Sequence, residues 1–139
     1  MGSISEVMTT DVVSLPASSS IVEAALAMRG ADIGYVVVTQ EGQPRGVLTD
    51  RDIAVRVVAE GLDPAQTTLA DVASGELVCL TAEHSPSDAA KLMRELAVRR
   101  LPVIDENDRL VGVVSIGDLA RELDPDSALA DISASPPNS

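Results

Sequence analysis

Apolar and polar residues alternate along the chain in short bursts that switch between two periods. Val12 to Leu15 and Leu77 to Leu80 are brief β-prone runs. Behind the first, Ile21, Ala24, Ala25 and Met28 recur at helical spacing; behind the second, Ala89, Leu92, Met93 and Leu96 do the same. Each run is therefore expected to lead into one helix carrying a single apolar stripe. The helix starts are marked in the sequence. Ser20 to Glu23 forms a capping box, and Ser85 to Asp88 supplies a cap with proline at the first helical position. Two β-rich segments follow in each half, "YVVVT" and "RGVLT", then "LPVID" and "LVGVVS", separated by the turn-rich stretches "QEGQP" and "ENDR". A last helix is expected from Asp50 to about Glu60 and from about Ile116 to Leu123.

The two halves are copies. Sliding the chain on itself by 65 positions lays Val7 on Val72, Val13 on Val78, Leu15 on Leu80, Ala24 and Ala25 on Ala89 and Ala90, and Met28 on Met93. One inserted residue later the offset is 66, and Val37 meets Val103, Gly46 meets Gly112 and Asp52 meets Asp118. The organisation this predicts is repeat 1 over 1–60, a linker over 61–68 ("GLDPAQTT"), repeat 2 over 69–123 and an acidic tail over 124–139. In that tail "SALADI" suits a helical turn and the end suits disorder. The fold class is α/β in composition and α+β in layout: two β-α-β-β-α repeats packed with pseudo-two-fold symmetry. A repeat of this length is marginal alone, which favours two sharing a core.

Composition narrows the chemistry. The chain has 139 residues, the size of one compact unit, and 45% of them are hydrophobic, with Tyr35 the one aromatic. Its core must be filled by Val, Leu, Ile, Ala and Met, with Met28 and Met93 at matching core positions. Net charge is −12, which disfavours nucleic acid and anionic membranes as partners. A single cysteine, Cys79, excludes an internal disulfide, and with His84 the one histidine a zinc site is not expected. The start "MGSISEVMTT" lacks the basic and apolar regions of a signal peptide, and Glu6 stands where a myristoylation signal wants a hydroxyl. No apolar stretch reaches membrane-spanning length. A cytoplasmic location is the expectation.

The chemistry-bearing feature is a heptad written twice: "GVLTDRD" from Gly46 to Asp52 and "GVVSIGD" from Gly112 to Asp118. Both fit a capping box, hydroxyl then acid three residues on, and the glycines fit a tight bend or a close strand approach. The same geometry also suits a ligand. A strand ending at a helix N-terminus offers free N–H groups and the positive end of a helix dipole, and an aspartate there can accept both hydroxyls of a ribose.

The chain resembles a tandem pair of cystathionine-β-synthase (CBS) domains, a Bateman module, over roughly 4–123. The resemblance is carried by the two heptads, "VRRLPVID" from Val98 to Asp105, "VMTTDVVSL" opening the first repeat, and the duplicated element order. The short stand-alone architecture and "GVLTDRDIAVRVVAEGLDP" are similar to small CBS pairs of the hypoxic-response type. The resemblance implies a regulatory module that binds an adenosine-containing ligand (AMP, ADP, ATP, NAD(H) or S-adenosylmethionine) in clefts between the repeats. It assigns Asp52 and Asp118 to the ribose hydroxyls and Thr49 and Ser115 to ribose or phosphate. Adenine is then held near Val13, Ser14 and Leu15 and near Val78, Cys79 and Leu80. Arg100, with Arg99 beside it, and Arg51 are the candidates for phosphate. Gly34 and Tyr35 stand where the second repeat has Arg100 and Leu101, so the two clefts are unequal.

Each of these residues also has a plain structural role available. Arg99 and Arg100 suit an exposed corner pairing with local acids as well as a phosphate clamp. Tyr35 suits packing against the helices, His84 a solvated loop, and Cys79 a small buried hydrophobe. The functions in competition are a non-enzymatic sensor needing no resident cofactor, a ligand-free interaction module, and an enzyme. The last lacks a recognisable nucleophile and base. A sensor would signal through an effector protein or through self-association, with a homodimer expected from the apolar helical faces.

Overall fold

In the computed structural model, which describes residues 3–73 and 77–123, the apolar bursts become two three-stranded sheets. The first holds β1 (Ser14–Pro16), β2 (Tyr35–Gln40) and β3 (Gln43–Thr49) in that order, with β1 parallel to β2 and β2 antiparallel to β3. The second repeats the pattern with β4 (Leu80–Thr81), β5 (Arg100–Ile104) and β6 (Leu110–Ser115). Helix α2 (Ile21–Ala31) crosses from β1 to β2, and α5 (Pro86–Leu96) from β4 to β5. After β3 the chain enters α3 (Asp50–Asp52) and a π-helical turn (Ile53–Val58); after β6 it enters α6 (Ile116–Leu123). Both repeats thus show the expected β-α-β-β-α order in a mixed α+β fold. Two short helices, α1 (Ile4–Val7) and α4 (Leu69–Val72), precede them. The tail expected over 124–139 lies outside the described residues.

Local chemistry accounts for the boundaries. Ser20 accepts the amide of Glu23 at 3.2 Å while the Glu23 carboxylate takes the Ser20 amide, and Ser85 and Asp88 do likewise. The first hairpin turns on Glu41 and Gly42, both at positive φ as a two-residue loop requires. In the second, the Asp105 carboxylate accepts the amides of Asn107 and Arg109. The leading strands are shorter than the β-prone runs. Each lies at a sheet edge with one partner, so its flanks have few bonds to make, although the Val13 carbonyl still accepts the Val37 amide at 3.0 Å.

Three expectations need correction. The single α-helix predicted from Asp50 to about Glu60 is instead three α-helical residues followed by π-helix, with the Ala59 amide donating five residues back to Ala54 at 2.9 Å. The β-branched run through Ile53, Val55, Val57 and Val58 is a poor match to tight α-helical turns. The apolar stripes are narrower than expected: Ile21, Ala24, Met28, Ala89 and Met93 are buried, whereas Ala25 and Leu96 face outward. Ala25 sits a full helical step from Ala24, and Leu96 lies on the last residue of its helix. His84 is half-buried rather than solvated, because its Nδ1 accepts the Thr81 amide at 3.0 Å and closes the turn before α5.

Two apolar clusters form, one per compact unit. The unit built on Val13–Leu77 packs α2, the β1–β3 sheet and Val57 of the π turn around Val36, Val38 and Leu48. It also takes in Leu69 and Val72 of α4, from the beginning of the second sequence repeat. The other unit joins the N-terminal segment up to Val12 to the chain from Val78. There Ile4 of α1 is buried with Leu80, Met93, Leu101, Val103, Val114 and Leu119. Thr9 pairs with Val113 through two backbone bonds of 2.8 and 2.9 Å. Gly112 permits that approach, since a Cβ at this position would stand 2.5 Å from the Met8 sulfur and 3.0 Å from the Thr9 carbonyl.

Candidate functional site: two strand-to-helix corners

Strand register gathers most of the candidate residues at one end of each sheet. Tyr35 pairs with Thr49 and Ser14 with Val37, so the start of β1, the start of β2 and the end of β3 lie at the same edge. Val13 to Leu15 therefore stand within a few residues of the level of Thr49, at about 3.3 Å of rise per residue. In the second unit Arg100 pairs with Ser115 and Leu80 with Val103, which brings Val78 to Leu80, Arg100 and the second heptad to the corresponding edge.

At both edges the heptad turns the chain from strand into helix. The Thr49 hydroxyl accepts the Asp52 amide at 3.1 Å, and Asp52 Oδ2 accepts the Thr49 amide at 2.9 Å. Ser115 and Asp118 form the same reciprocal pair at 3.1 and 3.0 Å. The capping reading is thus observed twice. It uses one carboxylate oxygen and leaves Oδ1 of each aspartate for another partner. At Asp52, Oδ1 lies 4.0 Å from the Arg56 Nε, while the Arg56 Nη1 donates to the Val72 carbonyl at 2.9 Å. At Asp118, Oδ1 accepts from the Arg121 Nη2 at 2.8 Å. Arg56 and Arg121 were not among the candidates. Their signal is the spacing of a cation three or four residues after an acid on one helical face.

The remaining candidates occupy varied settings. Arg51 and Arg99 are exposed, and the Arg99 carbonyl accepts the Ile116 amide at 2.8 Å. Arg100 is half-buried at the start of β5. Val13 and Leu15 are half-buried and packed on the first core. Val78 is exposed, whereas Leu80, expected beside adenine, is wholly enclosed in the second core and presents no surface to a ligand. Cys79 is half-buried, and desolvation, followed by the nearby Asp108 charge, raises its thiol above the ordinary value. A cavity of about 390 Å³ adjoins the first corner, with Gly34, Asp50 and Ile53 in one wall and Met28 and Arg29 of α2 in the other. Among the described residues no group of three or more His, Cys, Asp or Glu could hold a metal ion, and no helix is long and apolar enough to cross a membrane.

A mixed sheet closed by a capped helix, with the same heptad at the corner and written twice, defines a duplicated α+β module. The chain belongs to the CBS-domain family, whose profile matches residues 4–59 and 69–125. It is similar to the CBS domain-containing protein YhcV of Bacillus subtilis, with 43% identity over 120 residues covering 86% of this chain and 84% of the relative. It is also similar to hypoxic response protein 1 of Mycobacterium tuberculosis, at 36% identity over 89% of this chain and 86% of that protein. Among solved structures, hypoxic response protein I with two coordinated zinc ions superimposes with a TM-score of 0.79 at 35% identity, covering 88% of this chain and 99% of that one. The cytosolic domain of the Mg2+ channel MgtE in complex with ATP gives a TM-score of 0.75 at 28% identity, covering 87% of this chain and 48% of that one. The CBS pair of MJ0100, in complex with 5-methylthioadenosine and S-adenosylmethionine, shares the fold at 21% identity and a TM-score of 0.76, covering 87% of this chain and 98% of that one.

Proposed function

We propose that the protein is a non-enzymatic sensor that binds an adenosine-containing ligand at its strand-to-helix corners and passes the signal on through an effector protein or by self-association as a homodimer. The observation that carries this reading is the double role of the heptad aspartates. In both units one carboxylate oxygen fixes the corner by accepting a cap amide, while the other is not needed by the cap; it lies 4.0 Å from Arg56 at Asp52 and accepts from Arg121 at Asp118. Thr49 and Ser115 supply hydroxyls beside them, and Arg51, Arg99 and Arg100 supply charge suited to a phosphate. Val13, Ser14 and Leu15, with Val78 and Cys79, supply half-buried or exposed surface suited to a purine. The cytosolic domain of MgtE with ATP and the CBS pair of MJ0100 with its adenosyl ligands are structures of similar fold in which this ligand chemistry occurs. A ligand shifts a conformational equilibrium only by its differential affinity for the two states, so the sensor function needs such a difference and no bond-breaking step.

The test is thermal shift and calorimetry on ligand-stripped protein with AMP, ADP, ATP, NADH and S-adenosylmethionine, together with mass spectrometry of small molecules released on denaturing fresh protein. Heat or a raised melting temperature with any of these supports the reading, and none with all of them overturns it. A second reading, a ligand-free interaction module, is favoured by the completeness of the capping boxes. Under it Asp52→Ala and Asp118→Ala lower stability by cap-sized amounts of about 1 kcal/mol and change no binding.

A further inference from the structure

We propose that Arg121 is a built-in competitor at the second corner, so that two heptads of the same grammar differ in their readiness to take a ligand. The inference rests on the reading of the corners as ribose acceptors given above. A carboxylate that grips both hydroxyls of a ribose needs two of its roughly four lone-pair sites, so every protein donor already seated on it competes with the ribose. In each corner Oδ2 already accepts the cap amide, so Oδ1 is the oxygen that the cap leaves with its full acceptor capacity. At Asp118 that atom already accepts a charge-assisted hydrogen bond from Arg121 at 2.8 Å. At Asp52 the nearest arginine nitrogen stands at 4.0 Å, beyond hydrogen-bonding distance, and the guanidinium is held elsewhere by its bond to the Val72 carbonyl.

The difference follows from one step along the helix. By the 66-residue offset Arg121 aligns with Val55, and Arg56 aligns with Glu122. An arginine three residues past the aspartate folds back onto it. An arginine four residues past, on the widened π turn, reaches instead to the end of α4. Among the described residues the first corner therefore has no hydrogen-bonding arginine on its Oδ1, whereas the second has one seated there at 2.8 Å. Arg121 is half-exposed, so its grip is modest: an ion pair of this kind is worth up to about fivefold in an equilibrium constant.

The experiment titrates adenosine, which carries the ribose hydroxyls without phosphate, into the full chain by calorimetry, with AMP and ATP alongside. The variants are Asp52→Asn, Asp118→Asn, Arg121→Ala and the pair Asp52→Asn with Arg121→Ala. Asparagine keeps one oxygen for the cap, and alanine is a good helix former, so the corners stay folded. The tighter binding event is expected to disappear in Asp52→Asn and to persist in Asp118→Asn. Arg121→Ala is expected to tighten the weaker event by up to about fivefold, also in the Asp52→Asn background. If the tighter event instead depends on Asp118, or if Arg121→Ala leaves the weaker event unchanged or weaker, the competitor is overturned while the sensor reading stands. If no protein gives heat with adenosine, AMP or ATP, the ribose-acceptor reading fails and takes this inference with it.

Discussion

Asp52 and Asp118 divide their oxygens between an internal amide and an outward partner, and that division was half legible in the sequence. The hydroxyl-to-acid spacing announced the cap. The arginines that meet Oδ1 were legible only as a spacing, since Arg56 and Arg121 are each the one basic residue three or four positions from its aspartate, and the sequence does not tell a seated ion pair from a solvated one. Gly112 shows the same limit. A glycine opening a heptad suggested close approach, yet the segment that approaches, Met8 and Thr9, lies more than a hundred residues away in the chain. Gly112→Ala forces a methyl against the Thr9 carbonyl and the Met8 sulfur. It is expected to lower unfolding free energy by about 1–3 kcal/mol in urea denaturation; unchanged stability would show that the N-terminal segment is not seated there. Cys79 carries a pH prediction. The thiolate is the reactive form, and burial, then Asp108, raises the thiol's pKa, so less thiolate exists at neutral pH than in a free cysteine. Alkylation by iodoacetamide is expected to be slower than for glutathione at neutral pH, and its rate should begin to climb only at a higher pH than in the unfolded chain. Equal rates folded and unfolded would contradict this environment.

Periodicity made α2 and α5 visible because each carries a full cap and several turns of apolar spacing. It could not resolve the helix after Asp50, where the choice between four- and five-residue hydrogen bonding depends on how Val57 reaches the core. Nor could it find α1 and α4, four-residue helices too short to show a period. Above all, repeat alignment cannot say which core receives each leading helix. Ile4 begins the first sequence repeat yet is fully buried among Leu80, Met93 and Leu119, while Leu69 begins the second and is fully buried with Ile21 and Leu48. Each compact unit therefore depends on a helix from the other repeat's sequence. Ile4→Ala removes a fully buried side chain and is expected to cost about 2–5 kcal/mol. Hydrogen exchange should place the loss of protection in β5 and β6 rather than in β2 and β3. Loss confined to β2 and β3 would mean that the helix serves the unit that follows it directly in the chain.

Over the whole chain two facts pull against each other: a net charge of −12 and a group of apolar side chains left in the open. Val58 is 68% exposed, Leu26 and Val55 are each 49% exposed, and Val22 is 37% exposed, on α2 and the π turn of one unit. Single exposed apolar residues are ordinary, but three valines and a leucine on two helical elements of one unit favour a covered surface, and the proposed homodimer would cover it. An isologous contact would bury the same residues from both copies while bringing two strongly acidic chains together. Burial of apolar area favours association and does not weaken with salt, whereas the repulsion is screened beyond about 10 Å at about 0.1 M ionic strength. Association is therefore expected to tighten as salt rises, opposite to an interface held by ion pairs. Sedimentation equilibrium across a salt series measures this directly. Val58→Glu should shift the equilibrium to monomer while changing unfolding free energy by no more than about 0.5 kcal/mol, because the side chain is outside the core. A wild-type protein that stays monomeric at every concentration, or that associates less tightly in high salt, would remove the dimer and leave an effector protein as the route for the signal.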